Sequence, residues 1–174
     1  LFLAAFSVKK IADLLYKNEN LSYTASLIFL ASQTIILSAH DVRTDAVLTG
    51  FIALSIWQFL AYIKTQKISN VILAGFFTAL AFSSKGLMAI VIIGFSVFSY
   101  LLYSREWLKF FNVKIIFAAL SFGGGILPIL YAYYHQFGNE GVEFIFFNQS
   151  VNRLQAKGFE QNSPDYSFFF HTLL

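Results

Sequence analysis

The sequence contains no cysteine, only one methionine and two prolines, and few charged residues. The absence of cysteine excludes a disulfide scaffold, a catalytic thiol and a zinc site built on thiolates. Charged residues make up only 12% of the chain, against about a quarter in an average soluble domain. The net charge of +3 is too small for the dense basic face of a nucleic-acid-binding domain, so we expect no nucleic-acid partner.

Apolar residues dominate instead. They form 57% of the 174 residues, and 22 Phe and nine Tyr raise the aromatic share to 19%. One soluble core of this size could not bury so many aromatic side chains, and disordered chains are depleted in them. The composition therefore predicts a membrane protein, in contact with membrane lipids. We expect an all-α, polytopic transmembrane bundle.

A helix needs about 20 mostly apolar residues to cross the hydrocarbon region. Five stretches without charge have about this length, and they predict spans at 21–39, 46–63, 68–84, 86–103 and 115–134. A single helix over 68–103 would be almost twice too long, so a break is predicted at Ser83–Gly86. Gly123–Gly125 and Pro128 predict a kink or a close helix contact in the last full span.

Both ends of the sequence are apolar, and it does not begin with Met. We therefore expect truncated spans at about 1–8 and 167–174, and a chain that is the middle part of one transmembrane domain. Between them, residues 135–166 form a predicted outer segment. Its apolar run Val142–Phe147 predicts a helix that lies in the membrane interface on the outer face.

Lys and Arg in the connecting loops predict the orientation, because cytoplasmic loops carry an excess of them. Eight of the twelve fall on one side: Lys9, Lys10, Lys17, Lys64, Lys67, Arg105, Lys109 and Lys114. Four fall on the other: Arg43, Lys85, Arg153 and Lys157. The first side is predicted to be cytoplasmic and the second periplasmic, in a multi-pass protein of the inner membrane.

Two acids lie in the turn before the span at 46–63. Asp41 and Asp45 are four residues apart, with Arg43 between them, so they share a face if the turn is helical. Paired carboxylates at a water-facing surface can hold a divalent cation. Asp45 can equally be a cap for the helix that starts at Ala46, with Arg43 as a surface partner.

Two cations on the predicted outer side are candidates for binding an anion. Lys85 lies at a helix junction with no acid nearby in the sequence, so it must snorkel, pair through space or bind an anion such as phosphate. Gly86 would let a ligand approach the backbone. Arg153 follows the apolar run Val142–Phe147 and offers the two-pronged geometry that suits phosphate, although a head-group anchor is equally open.

Three segments in this order resemble a known family. They are Ser38–Phe51 with its acidic turn, Leu73–Gly86 ending in Lys-Gly, and Phe146–Asn148 leading to Arg153. The series resembles the bacterial GT-C glycosyltransferases that use polyprenyl-phosphate sugars, in particular the protein mannosyltransferases and the lipid A aminoarabinose transferases.

The resemblance implies an inverting transfer at the periplasmic face, from a polyprenyl-phosphate-linked sugar to a lipid, glycan or protein acceptor. It implies that a divalent metal is commonly used as a cofactor. It also implies a supporting catalytic role for Asp45, in positioning the metal or the acceptor, and donor-phosphate binding by Lys85 and Arg153. Asp41 is a candidate metal ligand only through its spacing to Asp45. The catalytic acid of the family lies in a first external loop. We expect that loop upstream of residue 1, so the chain alone should fold only in part and should not catalyse.

A secondary transporter or flippase for a lipid-linked or anionic solute is the alternative function. Transporters often contain inverted repeats and broken helices near the membrane midplane. This sequence has no detectable repeat, and its candidate charges gather at one face, which favours the enzyme.

Overall fold

The computed structural model describes residues 1–32, 35 and 45–143, and these residues form helices with no strand among them. The predicted all-α polytopic bundle is confirmed. The helices, in chain order, are α1 (Phe2–Tyr16), α2 (Glu19–Ala31), α3 (Asp45–Thr65), α4 (Ile68–Lys85), α5 (Leu87–Ser104), α6 (Trp107–Phe110) and, after a 3₁₀ turn at Val113–Ile115, α7 (Ile116–Glu143).

Four helical segments of the described chain are long and apolar enough to cross a membrane. They are α3, α4, α5 and the segment Val113–Asn139, and they overlap the ranges 46–63, 68–84, 86–103 and 115–134. The range 1–8 lies in α1, which continues to Tyr16. The range 21–39 starts in α2 and extends past the described residues. The outer segment 135–166 and the apolar run Val142–Phe147 start in α7 and also extend past them. The range 167–174 lies wholly outside them.

Helices α1 and α2 form a hairpin. Lys17 ends α1 in the left-handed conformation (φ 52°), and the Asn18 side chain accepts hydrogen bonds from the first N–H groups of α2. The Ser26 hydroxyl of α2 donates to the Ala5 carbonyl across the hairpin at 3.0 Å. Phe6 then packs edge-to-face on Trp57, at 5.5 Å between ring centroids, which joins the hairpin to α3.

Helices α3 and α4 form a second, longer hairpin at the centre of the bundle. Only Gln66 and Lys67 connect them, and Gln66 has the positive φ (56°) that lets the chain reverse direction. Inside the hairpin the Ser55 and Thr78 hydroxyls are buried and lie 2.7 Å apart. Such bonds between helices satisfy polar groups that lipid cannot hydrate.

Helix α7 packs beside α4 and runs in the same direction. Gly75 of α4 lies so close to Ala118 that a side chain there would collide with the Ala118 backbone. Gly125 likewise approaches Ala79, so the predicted close contact of the Gly123–Gly125 stretch exists. The helix continues through Pro128, and its one non-helical residue is Gly138 (φ 63°).

Helix α5 turns back from α4 at Gly86, within the predicted break. Its buried side chains, among them Ile93, Val97 and Leu101, pack with Leu60 and Ile63 of α3 in the main apolar cluster of the described chain. The bundle thus alternates direction from α3 to α5, which puts the ends of neighbouring helices together.

Candidate functional site

The α3–α4 hairpin determines which predicted site residues meet. Asp45 is the first residue of α3 and Lys85 the last residue of α4. The helices have 21 and 18 residues and a two-residue connection, so their free ends lie at the same end of the bundle. There the Lys85 ammonium and the Asp45 carboxylate form an ion pair.

This ion pair answers part of what the sequence left open. Of snorkelling, pairing and anion binding, Lys85 in the structure pairs, and its partner is an acid 40 positions away in the sequence. The ammonium at the C-terminus of α4 also complements the dipole of that helix. The prediction that Asp45 caps the helix starting at Ala46 depends on the residues just before Asp45, which lie outside the described residues.

Gly86 makes the position of Lys85 possible. Its φ of 65° and ψ of −144° are strained for any residue with a side chain. Its N–H donates to the Phe82 carbonyl at 2.6 Å and closes α4 directly after Lys85. The Lys-Gly pair therefore holds the ammonium at the very end of a helix, with about a third of the side chain exposed.

The second half of α7 reaches the same end of the bundle. Tyr133 packs on the cluster formed by Phe82 and Ile126, close to the end of α4. On the same stretch of α7, Tyr131 and His135 line a shallow, open depression of about 600 Å³. Neither side chain was assigned a functional role from the sequence.

The pair could bind an anion through Lys85. An ammonium has three N–H donors, and the contact with Asp45 needs one of them. Ligands for a metal ion are fewer, because the described residues contain no group of three His, Asp or Glu side chains that could hold one. Asp41 and Arg153 lie outside the described residues.

The sequence analysis placed Asp45 and Lys85 at one face but did not pair them. A signal for the pairing was available. Asp45 precedes the Gln66–Lys67 turn by 21 residues and Lys85 follows it by 18, so a hairpin of two straight helices brings both to one end.

The opposite end of the bundle holds most of the described cations. Glu106 accepts a hydrogen bond from Lys109 at 2.8 Å and lies 3.7 Å from the Lys64 ammonium. The hydrogen bond from Lys109, with the nearby charge of Lys64, lowers the pKa of Glu106 below its ordinary value. The Lys114 ammonium donates to the Gln66 carbonyl at 2.9 Å, which ties the α3–α4 turn to the segment before α7.

Comparison with known proteins identifies a family for the part of the chain that contains Asp45 and Lys85. Residues 2–131, about three quarters of the chain, match the family described as dolichyl-phosphate-mannose-protein mannosyltransferase. The chain belongs to this mannosyltransferase family. The match includes Asp45 and Lys85 and ends before Arg153, and it confirms the family predicted from the sequence.

One relative of this chain is an arabinosyl transferase. Over 94 residues the chain is 29% identical to the undecaprenyl phosphate-alpha-4-amino-4-deoxy-L-arabinose arabinosyl transferase 1 of Proteus mirabilis (strain HI4320). The match covers 52% of this chain and 17% of the relative, so the chain spans less than a fifth of that protein. No solved structure gives a significant match.

Proposed function

We propose that the chain is part of a glycosyltransferase that moves a sugar from a polyprenyl-phosphate donor to a lipid, glycan or protein acceptor. The observation that carries the proposal is the ion pair of Asp45 and Lys85 at one end of the bundle, within the residues that match the mannosyltransferase family. The charge bias of the loops supports a periplasmic position for that end, in the inner membrane. The alternative function, a transporter or flippase, is not supported by the family match, which is to transferases.

The proposed chemistry is a displacement with inversion. An acceptor hydroxyl or phosphate oxygen attacks the anomeric carbon, the bond to the donor phosphate breaks, and the lipid phosphate leaves with the electron pair. A carboxylate of the full-length enzyme would take the acceptor proton. The role of this chain is to stabilise the negative charge that grows on the leaving phosphate.

Lys85 and Arg153 are the proposed ligands of that phosphate. Lys85 supplies a point charge at the end of α4, and Arg153 supplies a planar pair of donors. Asp45 then has a defined supporting part, because its carboxylate contacts the ammonium that would bind the phosphate. In the resting protein Asp45 keeps Lys85 oriented, and the arriving phosphate shares or takes over the ammonium.

A divalent cation held by Asp41 and Asp45 remains part of the family-based proposal. The described residues alone do not fit a cation site, since Asp45 pairs with an ammonium and no group of three His, Asp or Glu side chains occurs among them. The displacement above is therefore derived without a metal.

Turnover of a polyprenyl-phosphate sugar by the purified full-length enzyme tests the phosphate ligands. Lys85→Gln and Arg153→Gln should each lower kcat by a factor of about 10²–10³, as for loss of one donor to a developing oxyanion. Arg153→Lys should recover only part of the loss, because it lacks the two-pronged geometry. The double variant should be damaged less than additively.

Lys67→Gln is the matched control, since Lys67 is an exposed lysine at the opposite end of α4. It should turn over donor at the wild-type rate. If Lys85→Gln and Arg153→Gln change protein abundance while their specific activity equals that of Lys67→Gln, both residues are membrane anchors and the proposed phosphate ligands are wrong.

A further inference from the structure

A second candidate site lies away from the Asp45–Lys85 pair. A groove of about 290 Å³ runs along α5 and is bounded by Phe59 of α3, Thr78 of α4 and the aromatic side chains of α6. On α5 its walls extend from Ile90 to Leu101, about 16 Å at ~1.5 Å per residue. This is about half the ~30 Å thickness of the hydrocarbon region, the depth of one leaflet.

A glycine of α5 contributes to the open space of the groove. Gly94 lines it, and a Cβ added at Gly94 would meet no atom within 4 Å. Trp107 shapes the far wall, where its ring packs edge-to-face on Phe98 with 5.6 Å between ring centroids. The lining is apolar apart from Thr78, so the groove suits a hydrocarbon chain.

Cations flank the groove residues of α5 and α6 in the sequence. Arg105 is exposed between two groove residues, Leu101 and Trp107, and Lys109 is exposed between Trp107 and Phe110. Lys64 lies nearby, at 3.7 Å from Glu106, which also binds Lys109. Three cations against one carboxylate leave a net positive charge.

Exposed apolar side chains put the same segment at a membrane surface. Tyr103, Leu108 and Val113 are exposed by 88%, 93% and 78%, next to the cations. A segment that mixes basic and exposed apolar residues at the end of membrane spans lies in the lipid interface. The partner that matches an apolar groove with a cationic rim at this depth is an anionic phospholipid.

The polyprenyl donor matches the groove less well. Its phosphate is expected at Lys85, at the other end of the bundle, and the groove begins on α5 only at Ile90. The cations beside the groove, Arg105 and Lys109, lie instead at the end of the bundle opposite Lys85. A phospholipid of the leaflet at that end would enter with its chain toward the midplane and its head group at the rim.

We propose that this groove and its rim form a binding site for an anionic phospholipid. One acyl chain lies along α5 beside Gly94, and the phosphodiester contacts Arg105 and Lys109. The site is independent of the proposed transfer activity, since it uses other residues at the other end of the bundle.

The test compares phosphatidylglycerol with phosphatidylethanolamine of the same acyl chains. The purified full-length protein is reconstituted in nanodiscs with equal amounts of both, released into mild detergent, and its retained lipids are counted by native mass spectrometry. The wild type should retain phosphatidylglycerol in preference. Arg105→Gln and Lys109→Gln should each lower that preference about five-fold, since one cation near an anionic surface contributes ~1 kcal/mol.

Gly94→Leu should fill the groove and abolish retention of both lipids. Gly124→Leu is the matched control, because Gly124 on α7 is equally open and lies outside the groove. If Gly94→Leu fails to fold, the rim variants still decide, and Arg105→Gln is the cleaner of the two because Lys109 also pairs with Glu106. No sugar donor is used, so the result does not depend on the proposed function.

Three results would overturn the proposal. The first is equal retention of the two lipids by the wild type. The second is an unchanged preference in both rim variants. The third is displacement of the retained lipid by undecaprenyl phosphate in the wild type, which would assign the groove to the donor chain instead.

Discussion

Asp45 contacts the cation that would bind the donor, and this contact changes how its role can be tested. From the sequence, Asp45 could position a metal, position the acceptor or cap a helix. The ion pair adds a fourth role, in which the carboxylate orients Lys85. These roles differ in how a mutation of Asp45 combines with a mutation of Lys85.

Asp45→Asn should lower kcat in the full-length enzyme and leave the melting temperature almost unchanged. Asn and Asp serve equally well at helix N-termini, so the substitution removes the charge and keeps the helix start. Combined with Lys85→Gln, it should cost little beyond Lys85→Gln alone, because the partner is already gone. Fully additive losses in kcat would mean that Asp45 positions a metal or the acceptor instead. Full activity of Asp45→Asn would mean that Asp45 serves only the start of the helix.

Glu106 gives a pH-dependent prediction at the other end of the bundle. Its pKa lies below the ordinary value of 4.5, mainly because Lys109 donates a hydrogen bond to the carboxylate. A lowered pKa means that the ionised group stabilises the fold above about pH 4.5, and that this stabilisation is lost as the pH falls through the lower, folded pKa.

Glu106→Gln should therefore melt at a lower temperature than the wild type at pH 7, and the difference should shrink steadily below pH 4.5. Thermal unfolding in detergent between pH 3 and 7 measures both curves. Parallel curves over this range would mean that the contacts of Glu106 with Lys64 and Lys109 contribute nothing to stability.

Among the helices, contacts through small residues fix the position of α7 against α4. Lipid tails are as apolar as leucine, so membrane helices associate largely through close packing and hydrogen bonds. Gly75 lets the backbones of α4 and α7 approach at Ala118, and the Ser121 hydroxyl donates to the Ile72 carbonyl at 2.8 Å.

Gly75→Ala should destabilise the bundle by about 1–3 kcal/mol, the usual cost of overpacking. The added Cβ would collide with the Ala118 backbone, which cannot move aside as a flexible side chain can. Gly124→Ala is the control, because a Cβ there meets nothing within 4 Å, and its melting temperature should stay the same or rise slightly. Equal melting temperatures for the two variants would show that α7 is free to shift.

The helices that cross the membrane could be predicted from the sequence, and their contacts could not. Hydropathy and charge encode a span directly, which is why 46–63 and 68–84 fall within α3 and α4. The pairing of Asp45 with Lys85 depends on how each helix is rotated, and that rotation is set by the Gln66 turn and by small-residue packing far from both. Likewise the helix continues through Pro128 because membrane helices tolerate proline, and the kink in α7 falls at Gly138 instead.

For the whole molecule, the structure divides the described charges between two ends of one bundle. Asp45 and Lys85 lie at one end, and Lys64, Glu106, Lys109 and Lys114 lie at the other. The loop charges predict the same two sides for these residues. Which end faces the periplasm remains a prediction.

Cysteine labelling tests the orientation without a background, because the chain has no native cysteine. A membrane-impermeant maleimide added to intact cells should modify Lys85→Cys. It should modify Lys67→Cys only after the membrane is permeabilised. Labelling of both from the same side would contradict the span assignment, and the reverse pattern would invert the protein in the membrane.

The two-residue turn at Gln66 and Lys67 constrains how this protein can change in evolution. Inserting one residue anywhere in α3 would rotate Asp45 by about 100° around the helix axis and shift it by ~1.5 Å relative to the turn. The carboxylate would then leave Lys85, and no loop exists between the helices to absorb the change. The lengths of α3 and α4 should therefore be inherited as a pair, so that homologues with an insertion in one carry a compensating change in the other.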